Sequence, residues 1–537
     1  MRARTLVLLA VATLGTAASF AAAASGSGHA VQGGTLRVNI SKSDVTTLDP
    51  QIDYEFLGGA ILWSTCVKLV YYPDRPAPLG SQLRPEAAAG LPRVSRDGRT
   101  YTFTIRSGYR FNTGEAVTAA SFGRAFERIY APKMGSPGVN FVSDVAGAPA
   151  ALKGRVKLPS GIRIRGNTLS ITLVQPSPDL IARLGMNFFC AVPVSTPIDP
   201  NGVTPAMAGP YYVAQRVPNR RIVLKPNPFY HGPRPHHLAE IDFTPNTDQQ
   251  TSFLQIEKDQ ADYDLYGTPP TEMAGLAKKF GVNRGRFWVH PALVVNYLAL
   301  NTQRAPFTDA KLRQAVNFAI SRSAILAQSG FKAGNPTDQV LPPGIRGFRN
   351  AKIYPLTAPD VARAKSLTGG KTYKVTLYTT TDDTATRQAE VVQNELAKIG
   401  VTVDIKQYAF GVLVSKIGVT SEPYDIVALG WIADYADPFD FINILLSGDK
   451  ITKANNVNLA QFDDPKFNSE MKHAALLTGS KRFSTYGKLD VDISRVAAPW
   501  ASLSNANTRE FVSTKVGCYT FQPILGAMDL TTACLKK

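Results

Sequence analysis

The sequence predicts an α/β protein of more than one domain, on three observations. The chain has 537 residues, too many for one ordinary hydrophobic core and suited to two or three domains. A strand, a helix and a second strand follow one another between Tyr373 and Ile405, the pattern of a right-handed parallel crossover. Elsewhere, short alternating apolar runs bounded by Gly and Pro read as half-buried strands.

Taken in order, residues 1–24 read as a secretory signal. Arg2 and Arg4 give the positive start, Thr5 to Phe20 the apolar stretch, and Ala21 to Ala24 a cleavage site before Ser25. A permanent anchor is the alternative, but the apolar core is short and rich in alanine. No cysteine follows it, so lipid attachment is not predicted, and residues 25–31 read as a flexible leader. Leu36, Val38 and Ile40 alternate on a first strand that ends at the turn Leu48-Asp49-Pro50. Thr100 to Ile105 alternates again. Val117 to Ile129 is helix-like with Thr118 as its cap, and Asn167 to Val174 is a strand. Tyr211 opens another strand, Arg221 to Leu224 continues the β pattern, and Val294 to Leu300 reads as a buried strand.

After Pro306, Leu312, Val316, Ala319 and Ile320 form the apolar face of a helix. In the crossover unit, Tyr373 to Tyr378 is the first strand. Thr386 to Ile399 is the helix, Gly400 its left-handed stop, and Val401, Val403 and Ile405 mark the second strand. Asp425 to Leu429 is a third strand, expected to break at Gly430.

Composition narrows the function classes. The formal net charge is +18; subtracting the two signal arginines leaves about +16. The basic residues are scattered, with no long run and no nucleic-acid motif, so a nucleic-acid partner is not predicted. After the signal, no apolar stretch is long enough to cross a bilayer. Export makes the four cysteines candidates for disulfides. Cys518 and Cys534 are close in sequence, which favours the pairs Cys518–Cys534 and Cys66–Cys190; the alternative for Cys66 and Cys190 is two buried small apolar residues.

Enzyme and metal signatures fail one by one. No Gly-x-Ser-x-Gly elbow and no His-Glu-x-x-His pair occurs. His236 and His237 are adjacent and would face opposite sides of a strand. Thr368 to Thr372 imitates a phosphate loop, but the first required glycine falls on Lys365. Asp437 and Asp440 are acidic neighbours of the kind that is usually solvated. No catalytic residue, cofactor or metal is predicted.

Several blocks carry a resemblance over essentially the whole mature chain. They are Gly33-Gly34-Thr35-Leu36 with Leu48-Asp49-Pro50; the run Ser95 to Phe111, continued by Asn112-Thr113-Gly114-Glu115-Ala116-Val117-Thr118-Ala119; AGPYYV from Ala208 to Val213; RIVLKPNPFYHG from Arg221 to Gly232; LNTQRAPFTDAKLRQAVNFAISR from Leu300 to Arg322; and YDIVALGWIADYADPFDF from Tyr424 to Phe441. Together they resemble extracellular solute-binding protein family 5, the peptide- and nickel-type receptors of ATP-binding-cassette importers. The resemblance implies a two-lobed periplasmic-binding-protein fold of class II, the large peptide-binding type, with an extra domain inserted in lobe one. It places lobe one at residues 32–75, 196–294 and 505–537, the inserted domain at 76–195, and lobe two at 295–504. It also implies a monomeric extracytoplasmic receptor with a peptide or small-molecule ligand and a membrane permease as partner.

In open α/β sheets, ligands sit beyond the carboxyl ends of strands. Here the strand from Asp425 runs into Trp431, Asp434 and Tyr435. In peptide-binding members, an aspartate at the position matching Asp434 pairs with the ligand's amino group, so Asp434 is the expected ammonium site; its alternative role is to cap a turn. Trp431 and Tyr435 are expected to line the cleft, or else to be core aromatics. Tyr54 and Phe56 are candidates for the opposite wall, and Asn296 and Tyr297 for the lobe-crossing strand. No arginine is marked as a carboxylate clamp. An oligopeptide is the first expected ligand, with an oligosaccharide or another solute behind it.

Overall fold

The computed structural model describes residues 33–41 and 43–536. The expected signal and leader lie outside the described residues. The expected elements then appear in order around three principal sheets. In the first, the strands lie in the order Tyr263–Asp264, Thr35–Ser41, Glu240–Thr247, Arg221–Pro226 and Tyr211–Val217; the first three are parallel and the rest antiparallel. Leu36, Val38 and Ile40 point into its core, as their alternation predicts.

A four-stranded antiparallel sheet comprises Arg93–Val94, Thr100–Thr104, Thr168–Thr172 and Ile162–Arg165. The helix Ala119–Tyr130 packs on it, and Thr118 is its N-cap residue as expected. The Ser121 hydroxyl accepts from the Thr118 amide at 3.1 Å, which satisfies one group at the helix start.

The third sheet has six strands, in the order Gly334–Pro336, Trp500–Phe511, Phe287–Leu300, Ile426–Ile432, Tyr373–Thr380 and Val401–Tyr408. Tyr373–Thr380 and Val401–Tyr408 run parallel on either side of the helix Asp383–Ala397 in sequence, which is the predicted crossover unit. Several boundaries differ from the sequence reading, and three of them have a clear physical cause. The helix begins three residues earlier than Thr386, because Asp382 accepts from the Ala385 amide at 2.9 Å and caps it there. The buried strand expected from Val294 starts at Phe287, where pairing with Phe511 extends it. The strand expected to stop at Gly430 runs to Ile432. Gly430 lies opposite Asn296, and a Cβ there would come within 2.5 Å of Asn296 Oδ1. Glycine is needed at that position for a close approach and does not break the strand.

The long strands Phe287–Leu300 and Trp500–Phe511 pair along most of their length, but their register shifts between Pro291 and Val295 and again between Asn296 and Tyr297. Both favoured disulfides form: Cys66–Cys190 with Cα atoms 5.5 Å apart and Cys518–Cys534 with 5.4 Å. Beside the first, the Ala191 amide donates to the Val67 carbonyl at 2.9 Å. Among the described residues, no helix is long and apolar enough to cross a membrane.

Candidate functional site

The strand Ile426–Ile432 ends against the segment that opens the helix Phe56–Thr65, and Asp434 lies just past that end. The loop is held by buried acids. The Asp434 amide donates to Asp440 Oδ2 at 2.9 Å, and Trp431 Nε1 donates to the same oxygen at 3.3 Å. Burial, reinforced by the neighbouring Asp434 charge, pushes the Asp440 carboxyl well above the usual carboxylate range. Asp437 accepts from the Phe439 amide at 2.9 Å and pairs with Arg482 at 2.7 Å. Capping of the turn thus falls to Asp437 and Asp440.

That leaves the Asp434 side chain directed across the gap. It is half-buried, and the Tyr54 hydroxyl donates to its two oxygens at 2.8 and 3.0 Å. Burial pushes its carboxyl up to about 7, partly offset by the hydrogen bonds from Tyr54 and Asp440. Tyr54 is held edge-on to Phe141 at 6.0 Å and packs on Phe188 at 5.5 Å.

Three adjoining cavities fill the gap. One of about 430 Å³ is bordered by Asp53, Tyr54, Phe56, Trp63, Trp431 and Asp434. A second, about 380 Å³, shares Phe56 and Ile432 with it and reaches Tyr266 and Arg509. The largest, about 730 Å³, shares Phe410 with the first and Tyr266 with the second; Asn296, Thr380, Asp382 and Gln388 supply its polar groups. Their shared walls make one elongated cleft of a size suited to an extended small molecule.

The structure therefore brings Asp434, Trp431, Tyr54 and Phe56 together, with Asn296 on the adjoining cavity. Two aromatics named from sequence fall elsewhere. Tyr435 is 1 % exposed, belongs to the core beneath the four-stranded sheet, and donates to Asp179 Oδ2 at 3.1 Å. It is a core residue, held there by its edge-on packing against Phe141 and its hydrogen bond to Asp179. Tyr297 borders the large cavity, but its ring is buried and stacks on Trp500 at a centroid distance of 3.6 Å. Sequence reasoning missed Asp53, Phe410, Ile432 and Tyr266. Ile432 stood inside the block already quoted; Phe410 follows the strand Val401–Tyr408 and was legible as another strand end. Phe410 and Ile432 are 65 % and 62 % exposed, so large apolar surface faces the cleft. Among the described residues, no group of three or more His, Cys, Asp or Glu side chains is placed to hold a metal ion.

Comparison with known proteins gives a consistent picture. Residues 82–453 match the sequence profile of the bacterial extracellular solute-binding proteins, family 5 Middle. The oligopeptide-binding protein OppA of Bacillus subtilis (strain 168) is 25% identical over 434 residues, 76% of this chain and 77% of that one. The heme-binding protein A of Haemophilus influenzae is 26% identical over 461 residues, 80% of each chain. Among solved structures, the clavulanic acid biosynthesis oligopeptide binding protein 2 superposes with a TM-score of 0.88 at 22% identity, covering 94% of this chain and 96% of that one. The fold is accordingly the two-lobed α/β arrangement of periplasmic binding proteins.

Proposed function

The chain belongs to the bacterial extracellular solute-binding proteins, family 5, and from that premise we propose that it captures an oligopeptide outside the cytoplasm and delivers it to an ATP-binding-cassette importer. Asp434 carries the reading. Its carboxylate stands at a strand end, on a cavity bordered from both sides, with a tyrosine hydroxyl as its partner. A ligand ammonium is the group that would replace or join that hydroxyl most favourably. Ionisation of Asp434 then accompanies binding, because a cation nearby favours the charged carboxylate.

The strands Phe287–Leu300 and Trp500–Phe511 are the passages on which the lobes would hinge, and a ligand touching both walls would favour the closed form. Export through the signal at residues 1–24, an inserted domain at 76–195 and a membrane permease as partner complete the proposal.

The test is mass spectrometry of small molecules released from the exported protein after incubation with a mixed peptide digest. A discrete set of retained peptides is expected, with affinity reduced about thirtyfold or more in Asp434→Asn, equivalent to about 2 kcal/mol. Retention of N-acetylated peptides as tightly as free ones would rule out the amino-group contact. A second reading keeps the receptor and changes the cargo. The exposed Phe56, Phe410 and Ile432 favour an amphiphile, and one relative is a heme-binding protein. In that case the released molecule would be an apolar solute, and Asp434→Asn would leave its retention intact.

A further inference from the structure

Asp53 shares the cavity of Asp434 but is not explained by an ammonium site at Asp434 alone. It is 5 % exposed and borders the 430 Å³ space. Its Oδ1 is buried and meets no hydrogen-bond donor among the described residues. A buried carboxyl oxygen in that condition is costly, and native structures rarely keep one without a reason.

No side chain supplies the missing partner; the backbone amide of Glu55 is the donor nearest the carboxyl. The side chain is pressed over the first turn of the helix Phe56–Thr65, where a Cβ on Gly58 would come within 2.0 Å of Oδ1. The acids Glu55 and Asp49 lie near enough to disfavour its charge, and Arg216 is the cation that favours it. The Arg216 guanidinium, however, donates to the carbonyls of Val45 at 2.7 Å and Thr46 at 3.1 Å. Burial pushes the Asp53 carboxyl up to about 8, with the Glu55 charge adding to the rise and the Glu55 amide partly offsetting it. Asp53 therefore stays largely protonated at neutral pH until a cation arrives.

Asp53 and Asp434 project from opposite walls, one ahead of the helix Phe56–Thr65 and one after the strand Ile426–Ile432. Tyr54 lies between them, adjacent in sequence to the first and hydrogen-bonded to the second. Trp63 and Trp431 border the same space and offer faces for an aliphatic stem.

We propose that Asp53 is a second cation-binding carboxylate of this cleft, so that the preferred ligands carry two basic groups joined by a short aliphatic stem, as in a peptide whose first residue is lysine. The inference rests on Asp434 taking the first of those groups. Lysine, rather than a bulkier base, fits because its ammonium brings several donors on a slim stem to a cavity-lining carboxyl that no side chain partners.

Titration calorimetry on the full mature chain tests it with Lys-Ala-Ala against norleucyl-Ala-Ala, which differ only in the terminal ammonium. The wild-type protein should prefer the lysine peptide by about tenfold or more, the gain expected of one charge-assisted hydrogen bond. In Asp53→Asn that ratio should fall to near one. Gly58→Ala, which crowds Oδ1 without changing any charge, should lower it too and guards against a folding defect in the first variant. Equal binding of the two peptides by the wild type, or a ratio that survives in Asp53→Asn, overturns the proposal. If neither peptide binds, the oligopeptide reading fails and hexane-1,6-diamine against hexylamine decides. A preference for the diamine that Asp53→Asn abolishes upholds the second site, and no preference overturns it.

Discussion

At Asp434 burial and hydrogen bonding pull in opposite directions, and burial wins: the carboxyl is pushed up to about 7. A site of this kind responds to pH within the physiological range. Below about 7 the carboxyl takes up a proton and no longer attracts an ammonium, so affinity for a free-amino peptide should fall by roughly tenfold per pH unit at the acid limit. Calorimetry between pH 8 and pH 5 measures the slope, and Asp434→Asn should flatten it. The sequence made Asp434 and Trp431 visible, because a strand end and a quoted block located them. It could not separate Trp431, which faces the cleft, from Tyr435, which faces a core. Two aromatics four positions apart, one at the strand end and one in the loop after it, carry no periodicity, and their exposure is decided by what the rest of the chain puts beside them. Asp53 was hidden for a related reason, since an unmet oxygen is a property of neighbours and not of residue type.

At the level of elements, Gly430 shows how a local rule misleads. Glycine usually weakens a strand, yet here it lets Ile426–Ile432 lie close to the Asn296 side chain. Gly430→Ala should force that side chain or the strand to move, destabilising the protein by about 1–3 kcal/mol. Thermal unfolding would register this as a lower Tm, and peptide affinity should fall too because Asn296 borders the cleft. The strand–helix–strand unit from Tyr373 was legible because each element is long and strongly periodic. Boundaries were less so: the cap at Asp382 that opens its helix depends on a single hydrogen bond, and the extension of another strand back to Phe287 depends on a distant partner strand.

For the whole molecule, pH acts on stability through acids that folding removes from water. Asp490 is fully buried and pushed up to about 7, although Val340 and Gln339 donate to it at 2.9 and 3.0 Å. Its folded-state value lies above its ordinary 3.8, so the folded protein holds the proton more tightly than the unfolded chain. The stabilisation is complete below about pH 4 and is lost as pH rises through about 7. Asp434 and Asp53 act in the same direction. Asp490→Asn should therefore reduce the fall in Tm between pH 5 and pH 8, as differential scanning fluorimetry would record. A variant with an unchanged slope would mean that other acids control it. The two-lobed arrangement itself was legible only through the family resemblance that the ordered blocks carry, whereas cleft volume and wall chemistry emerge only when distant segments meet.

The Cys66–Cys190 bond joins residues 124 positions apart, and the whole of the four-stranded sheet and its helix lies between them. Covalently, that stretch is a closed ring hung from the rest of the protein at a single stapled neck. A protease that cuts an exposed turn inside the ring, such as Lys153–Lys157, opens the ring without separating the pieces. In an oxidising environment the nicked chain would stay one covalent molecule, and denaturing electrophoresis would resolve two pieces only after reduction.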